Sequence, residues 1–258
     1  MTASFFRRIA PAALWLALLA AAGCKTPPHS EKLTVAAAAD LRFALERIAR
    51  EFRTAHPGLD LAPAYGSSGN FYAQISSGAP FDVFLSADVE YPRRLAAAGF
   101  VPANAVFTYG SGRLAVWVPA ASGLDPATVL ATGAVRHLAI ANPQHAPYGR
   151  AAVAALRNLG WYEKLEPKLV MGENVAQALE FVESGAADAG VVALSLAAAP
   201  ALRDRGRYWE IPPSAYPPIA QGGAILKDSP AARALRDFLL SPAGRRILKD
   251  YGFLVPGE

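Results

Sequence analysis

Residues 33–52, LTVAAAADLRFALERIAREF, decide the fold. Leu33–Ala37 is a short run, apolar but for Thr34, the pattern of a buried strand. Asp40 then stands where a helix N-cap is predicted, before Leu41, Ala44, Leu45, Ile48 and Phe52 at helical spacing. Further on, Leu59–Tyr65 reads as a second strand, Gly66–Gly69 as a turn, Asn70–Ser77 as a short helix and Val83–Leu85 as a third strand. Asp88 opens another helix, which Gly99 closes. Strand and helix alternating in this way predict parallel β-structure with crossover helices.

The same rhythm restarts beyond a stretch rich in Pro and Gly. Leu114–Val118, His137–Ala141, Lys168–Val170 and Ala189–Ala193 read as strands, and Tyr148–Asn158 and Val175–Val182 as helices. An apolar strand within Tyr216–Leu226 and two helices, Pro230–Leu240 and Pro242–Tyr251, finish the chain. The simplest arrangement is two α/β lobes, each a mostly parallel sheet flanked by helices. Lobe 1 would hold 33–110 and the C-terminal return 218–258, and lobe 2 would hold 111–217, with crossings near Thr108–Arg113 and Tyr216–Gly223.

With 53% hydrophobic and 18% charged residues over 258 positions, the chain has the composition of a globular protein rather than a disordered or fibrous one. Residues 5–8, FFRR, followed by the apolar run Ile9–Ala22, read as a secretory signal peptide over 1–23, too short for a spanning helix. Without Arg7 and Arg8 the balance is 23 basic against 21 acidic residues, too even for a nucleic-acid partner. Cys24, the single cysteine, follows Ala-Ala-Gly and resembles the lipobox cysteine of bacterial lipoproteins, with Ala21 where that motif carries Leu. The expectation is a lipidated cysteine and a polar tether over 24–32, lipid being the one link to a membrane. Plain signal cleavage leaving a free thiol is the alternative.

The four histidines have no metal-ligand spacing and no second cysteine joins Cys24, so no metal site or cofactor is expected. Phosphate-loop, dinucleotide and GxSxG motifs are missing as well. Small or polar residues do recur at strand-to-helix junctions: Ala39-Asp40, Ser67-Ser68, Pro147-Tyr148-Gly149 and Asn174-Val175. There the first N–H groups of each helix point out from the carboxyl end of a sheet, where open α/β sheets bind ligands. The pattern predicts a small anion held by N–H groups and hydroxyls.

The segments AAAADLRFALERIAREF (36–52), YGSSGNFYAQISSGAPFDVFLSAD (65–88), NPQHAPYG (142–149), ENVAQALEFVESGAADAGVV (173–192) and SPAGRRILKDYGF (241–253) resemble, in this order, the molybdate-binding proteins of bacterial ABC importers. The resemblance covers Leu33 to Phe253. It implies the two-lobed periplasmic-binding-protein fold with a tetrahedral oxyanion, molybdate or tungstate, in the cleft between the lobes. It also implies a monomer without enzymatic activity that serves an importer permease from the periplasm. Residue by residue, it assigns Ser68 a hydroxyl and an N–H toward the anion, and Asp40, Tyr148 and Val175 an N–H each. Ala39, Ser67 and Asn174 are neighbours.

Two positions depart from the family pattern. Ala193 stands where some members place a tyrosine, so the Tyr148 hydroxyl is a candidate substitute. Asp40 stands where the family has serine, and a carboxylate facing a dianion repels it. Either its side chain turns inward to cap its own helix, or it accepts a proton from the ligand, which would favour a protonated oxyanion such as phosphate. From another class, a small secreted serine hydrolase built on Ser68 is the rival reading.

Overall fold

The computed structural model describes residues 31–255. The expected signal peptide, Cys24 and most of the tether lie outside them. The elements run β1 (Glu31–Ala38), a 3-10 turn (Ala39–Leu41), α1 (Arg42–Ala55), β2 (Leu59–Gly66), α2 (Ser68–Ser76), β3 (Val83–Ser86), α3 (Glu90–Ala97), β4 (Val106–Gly112) and β5 (Leu114–Pro119). Then follow α4 (Val129–Thr132), β6 (Leu138–Ala141), α5 (Pro147–Asn158), α6 (Tyr162–Leu165), β7 (Leu169–Gly172), α7 (Val175–Glu183), β8 (Ala189–Ala193) and α8 (Leu194–Ala197). The last are β9 (Gly206–Glu210), β10 (Ile219–Ile225), α9 (Pro230–Leu240) and α10 (Pro242–Asp250). Strand β1 starts at Glu31, so the last two residues of the expected tether are already paired with β2.

Two five-stranded sheets, ordered β2-β1-β3-β10-β4 and β7-β6-β8-β5-β9, form the two lobes. Each is mixed rather than mostly parallel. Strands β2, β1 and β3, and likewise β7, β6 and β8, are parallel, as the crossover helices require. Strand β10 runs antiparallel to β3 and β4, and β5 runs antiparallel to β8 and β9. The antiparallel halves come from the segments that pass between lobes and from β4 and β9, two strands with no clear period in the sequence.

The apolar run of β1 is buried because it lies inside its sheet with both faces covered. Val35 and Ala37 face one cluster with Leu45, Ile48 and Phe52 of α1 and Leu235, Leu239, Ile247 and Leu248 of the C-terminal helices. Ala36 faces the other way, toward Phe71 of α2 and Tyr91 and Leu95 of α3. This is the two-residue period of a strand. Each large apolar side chain buried here contributes about 1.5–3 kcal/mol, and alanines in the strand let helices approach both faces. Only Arg113 separates β4 from β5. Its guanidinium bonds the Gly252 carbonyl of lobe 1 at 2.7 Å and Glu210 of β9 at 2.8 Å, which fixes the crossing.

Candidate functional site

The carboxyl ends of β1, β2, β6 and β7 meet across the gap between the lobes. There Ala38–Asp40, Gly66–Ser68, Ala87, Ala146–Tyr148, Asn174 and Val175 line a pocket of about 200 Å³. A larger groove of about 1050 Å³ lies between Asp88, Arg150 and Pro217–Pro218, but no predicted site residue borders it.

Local sequence decides which donors remain available in the small pocket. At α2, Ser67 is the cap: its Oγ accepts from Asn70 N–H at 3.4 Å, its carbonyl takes Phe71 N–H, and Gly69 N–H goes to the His145 carbonyl at 2.9 Å. Ser68 N–H is left without an acceptor in its helix. The Ser68 hydroxyl oxygen accepts from Ala87 N–H at 2.9 Å, which leaves its proton to donate. At α5, Pro147 has no N–H, and Gly149 and Arg150 both donate to the Ala146 carbonyl, so Tyr148 N–H remains. At α7, Asn174 Oδ1 caps Ala176 and Gln177 and its carbonyl takes Ala178 N–H, so Val175 N–H remains. Asp40 N–H occupies the same position in the 3-10 turn that follows β1. No Lys or Arg lines the pocket. The helix N-termini that converge on it are the groups that favour an anion there.

Ser67 and Asn174 are therefore neighbours whose side chains are committed to capping. Among the described residues, the one imidazole bonded to either serine reaches Ser67, where His145 Nδ1 lies 3.0 Å from Oγ, and not Ser68 as a hydrolase built on Ser68 would need. Asp40 makes its side-chain-to-side-chain bonds away from its own turn. Its side chain is buried, and the residue at the N-cap of its turn is Ala38, not Asp40. Oδ2 accepts from Tyr148 Oη at 3.0 Å and from Gln221 Nε2 at 2.8 Å. The Tyr148 hydroxyl, a candidate ligand donor, is thus engaged with Asp40. Tyr109 continues the network by donating to Gln221 Oε1 at 2.9 Å. Burial pushes the Asp40 carboxyl up to about 6, against the hydrogen bonds from Tyr148 and Gln221 and the adjacent backbone N–H groups of Asp40 and Leu41, which lower it. Burial also pushes the Tyr109 and Tyr148 phenols well above their ordinary range.

Sequence reasoning missed Gln221 and Tyr109. A lone glutamine inside the apolar strand 219–225 was the available signal, and a register shift at Gln221/Gly222, where the β10–β4 pairing slips, accompanies it. Gly112 makes room for the network, since a Cβ there would lie 2.1 Å from Tyr148 Oη. Around the pocket mouth the lobes are joined by Asn70 Nδ2 to Glu173 at 2.8 Å, Arg42 to Glu180 at 3.2 Å, and Arg150 to Asp88.

The model of the bacterial extracellular solute-binding proteins matches residues 33–254. The chain belongs to this family. This solute-binding protein is 39% identical over 247 residues to a protein of Rhodobacter capsulatus named molybdate-binding protein ModA, covering 93% of this chain and 94% of that one. It is 40% identical over 229 residues to the molybdate-binding protein ModA of Azotobacter vinelandii, covering 87% and 90%. The solved structure of the Azotobacter vinelandii periplasmic molybdate-binding protein superposes with a TM-score of 0.78 at 36% identity, over 87% of the solute-binding protein and 99% of that chain. Among the described residues, no helix of the solute-binding protein is long and apolar enough to cross a membrane.

Proposed function

We propose that the protein captures molybdate, and tungstate with it, between its two lobes and delivers the anion to the permease of an ABC importer. It works as a monomer without catalysis, outside the cytoplasmic membrane and tethered there by a lipid on Cys24. The observation that carries this reading is the set of uncommitted donors, Ser68 N–H and O–H with the N–H groups of Tyr148 and Val175, around a pocket of about 200 Å³ that Asp40 also borders and that no Lys or Arg lines. Charge-assisted hydrogen bonds of this kind contribute roughly 1.5–3 kcal/mol each, enough together to offset the entropy of binding. Fixed donors also impose a tetrahedral geometry that a mobile lysine would not. Lobe closure buries the anion and presents a joined surface to the permease, a hinge motion of the kind known for two-lobed binding proteins. The names of the relatives support the choice of molybdate.

Thermal denaturation of residues 24–258, stripped of ligand, with molybdate, tungstate, sulfate or phosphate tests the reading. At 100 times the dissociation constant a ligand stabilises by about 2.7 kcal/mol, a rise of roughly 5–11 °C for a chain of this size. The expected rise occurs with molybdate and tungstate. A rise with phosphate alone changes the substrate, and no rise with any of them overturns the binding function. Mass spectrometry of membrane-extracted protein checks the anchor: acyl mass on Cys24 is expected, and its absence refutes lipidation.

A further inference from the structure

The two oxygens of the Asp40 carboxylate are treated differently by the fold. Oδ2 receives hydrogen bonds from Tyr148 and Gln221, whereas Oδ1 is buried with no hydrogen-bond partner. Asp40 also borders the pocket where the anion is to sit. An ionised carboxylate here would place a negative charge against a dianion in a poorly solvated space, a strongly repulsive arrangement. It would also leave the charged Oδ1 unsatisfied, which costs more than a buried neutral acceptor.

We propose that Asp40 enters the bound state as a neutral acid whose Oδ1 proton is donated to the oxyanion, so that each dianion is captured together with one proton from solvent. This inference rests on the reading of the cleft as an oxyanion site and adds a determinant that the backbone donors do not supply. Placing the proton on Oδ1 leaves Oδ2 as the carbonyl oxygen, which still accepts from Tyr148 and Gln221. The new O–H has no acceptor among the described residues, and an oxygen of the anion supplies one. The charge balance is simple: carboxylate, proton and dianion become carboxylic acid and hydrogen-bonded dianion, with no covalent bond to the metal oxyanion made or broken. A free carboxyl at about 6 is already poised for this, and a neighbouring dianion raises it further.

Other charges do not offer an equivalent route. The titratable groups facing Asp40 are the phenols of Tyr109 on β4 and Tyr148 on α5, both held protonated by burial. Strand β10 contributes the neutral Gln221, α8 contributes Ser195, whose hydroxyl donates to the Asp40 carbonyl, and α2 contributes Ser68. On α1 and α7, Arg42 and Glu180 pair with each other at the exposed rim. His145, bonded to Ser67, is the remaining titratable ring of the cleft.

Titration calorimetry of residues 24–258 with sodium molybdate, in two buffers of different ionisation enthalpy, counts the protons taken up. At pH 8, about one proton is expected per anion, with molybdate affinity falling about tenfold per pH unit above the carboxyl pKa and little uptake near pH 5. In Asp40→Asn, whose amide mimics the neutral acid, uptake disappears and affinity is level between pH 6 and 8.5. Normal binding by the wild-type protein at pH 8 without proton uptake overturns the proposal, whether or not the variant folds. So does uptake that persists in Asp40→Asn, which would place the proton on another group. Molybdate binding by neither protein at any pH is a distinct result, since it removes the oxyanion site itself.

Discussion

The Tyr148 hydroxyl, carried by lobe 2, donates to Oδ2 of Asp40 in lobe 1 at 3.0 Å, and both side chains are buried. One lobe thus places a phenol on a carboxylate that the other has removed from water. Closure and the charge state of Asp40 are therefore coupled. The first consequence concerns stability without ligand. The carboxyl has a folded-state pKa of about 6 against an ordinary 3.8, so the unfolded chain releases its proton first. Below pH 4 this group costs nothing. As pH rises from 4 to 6 the native state loses about 3 kcal/mol, and the loss stays constant above that. Asp40→Asn is expected to match the wild-type melting temperature near pH 4 and exceed it by several degrees at pH 8. Calorimetric scans at the two pH values decide it, and a variant that melts no higher at pH 8 refutes the assignment of the raised carboxyl.

Ser68→Ala removes a hydroxyl whose oxygen is held by Ala87 N–H and whose proton is available to the anion. Loss of one hydrogen bond to a charged group is expected to weaken molybdate roughly 10- to 100-fold. The unpartnered Ala87 N–H also lowers stability by about 1–3 kcal/mol. Isothermal titration reads the first effect and urea unfolding the second. Unchanged affinity would remove Ser68 from the site.

Val175 is assigned through its N–H alone, which a pair of substitutions isolates. Proline is well tolerated as the first residue of a helix, and Asn174, at φ −143° and ψ 177°, already has the extended backbone that a following proline requires. Val175→Pro should keep α7 and lose about tenfold or more in affinity. Val175→Ala keeps the N–H and should lose little. Equal affinities for the two variants, with unchanged circular dichroism, would show that this N–H does not meet the anion.

Gly69 permits the close approach of the lobes. A Cβ there would lie 2.6 Å from the His145 carbonyl oxygen and 2.9 Å from Tyr91 Oη. Gly69→Ala therefore wedges the closed form apart at the His145 carbonyl, while within lobe 1 the Tyr91 hydroxyl has to shift aside. Stopped-flow binding should show dissociation about tenfold or more faster, with association little altered, as for most contacts made after encounter. Dissociation at the wild-type rate would mean that the lobes close elsewhere.

Much of this site is written locally. The Ser67 and Asn174 caps, Pro147 ahead of Tyr148, and Ser68 at the start of α2 are sequence neighbours of the donors they leave available. The sequence therefore exposes these donors one junction at a time. Asp40 was legible as an anomaly but not as a structure. Its cap reading followed from local preference, which carries no information about partners 108 and 181 residues away.

The alternation of apolar runs with helical spacing determined the two α/β lobes and the junctions that carry the donors, because strand and helix periods depend on near neighbours. Tertiary structure alone decided the rest. Antiparallel β10 brings Gln221 beside Asp40, and β4 brings Tyr109 to Gln221. Gly112 clears the space that the Tyr148 hydroxyl fills. Such a network has no period, since each member lies on a different element and burial itself creates its need for partners. The charge of Asp40 follows from the same packing, because an aspartate becomes a proton carrier only once the fold has taken it out of water.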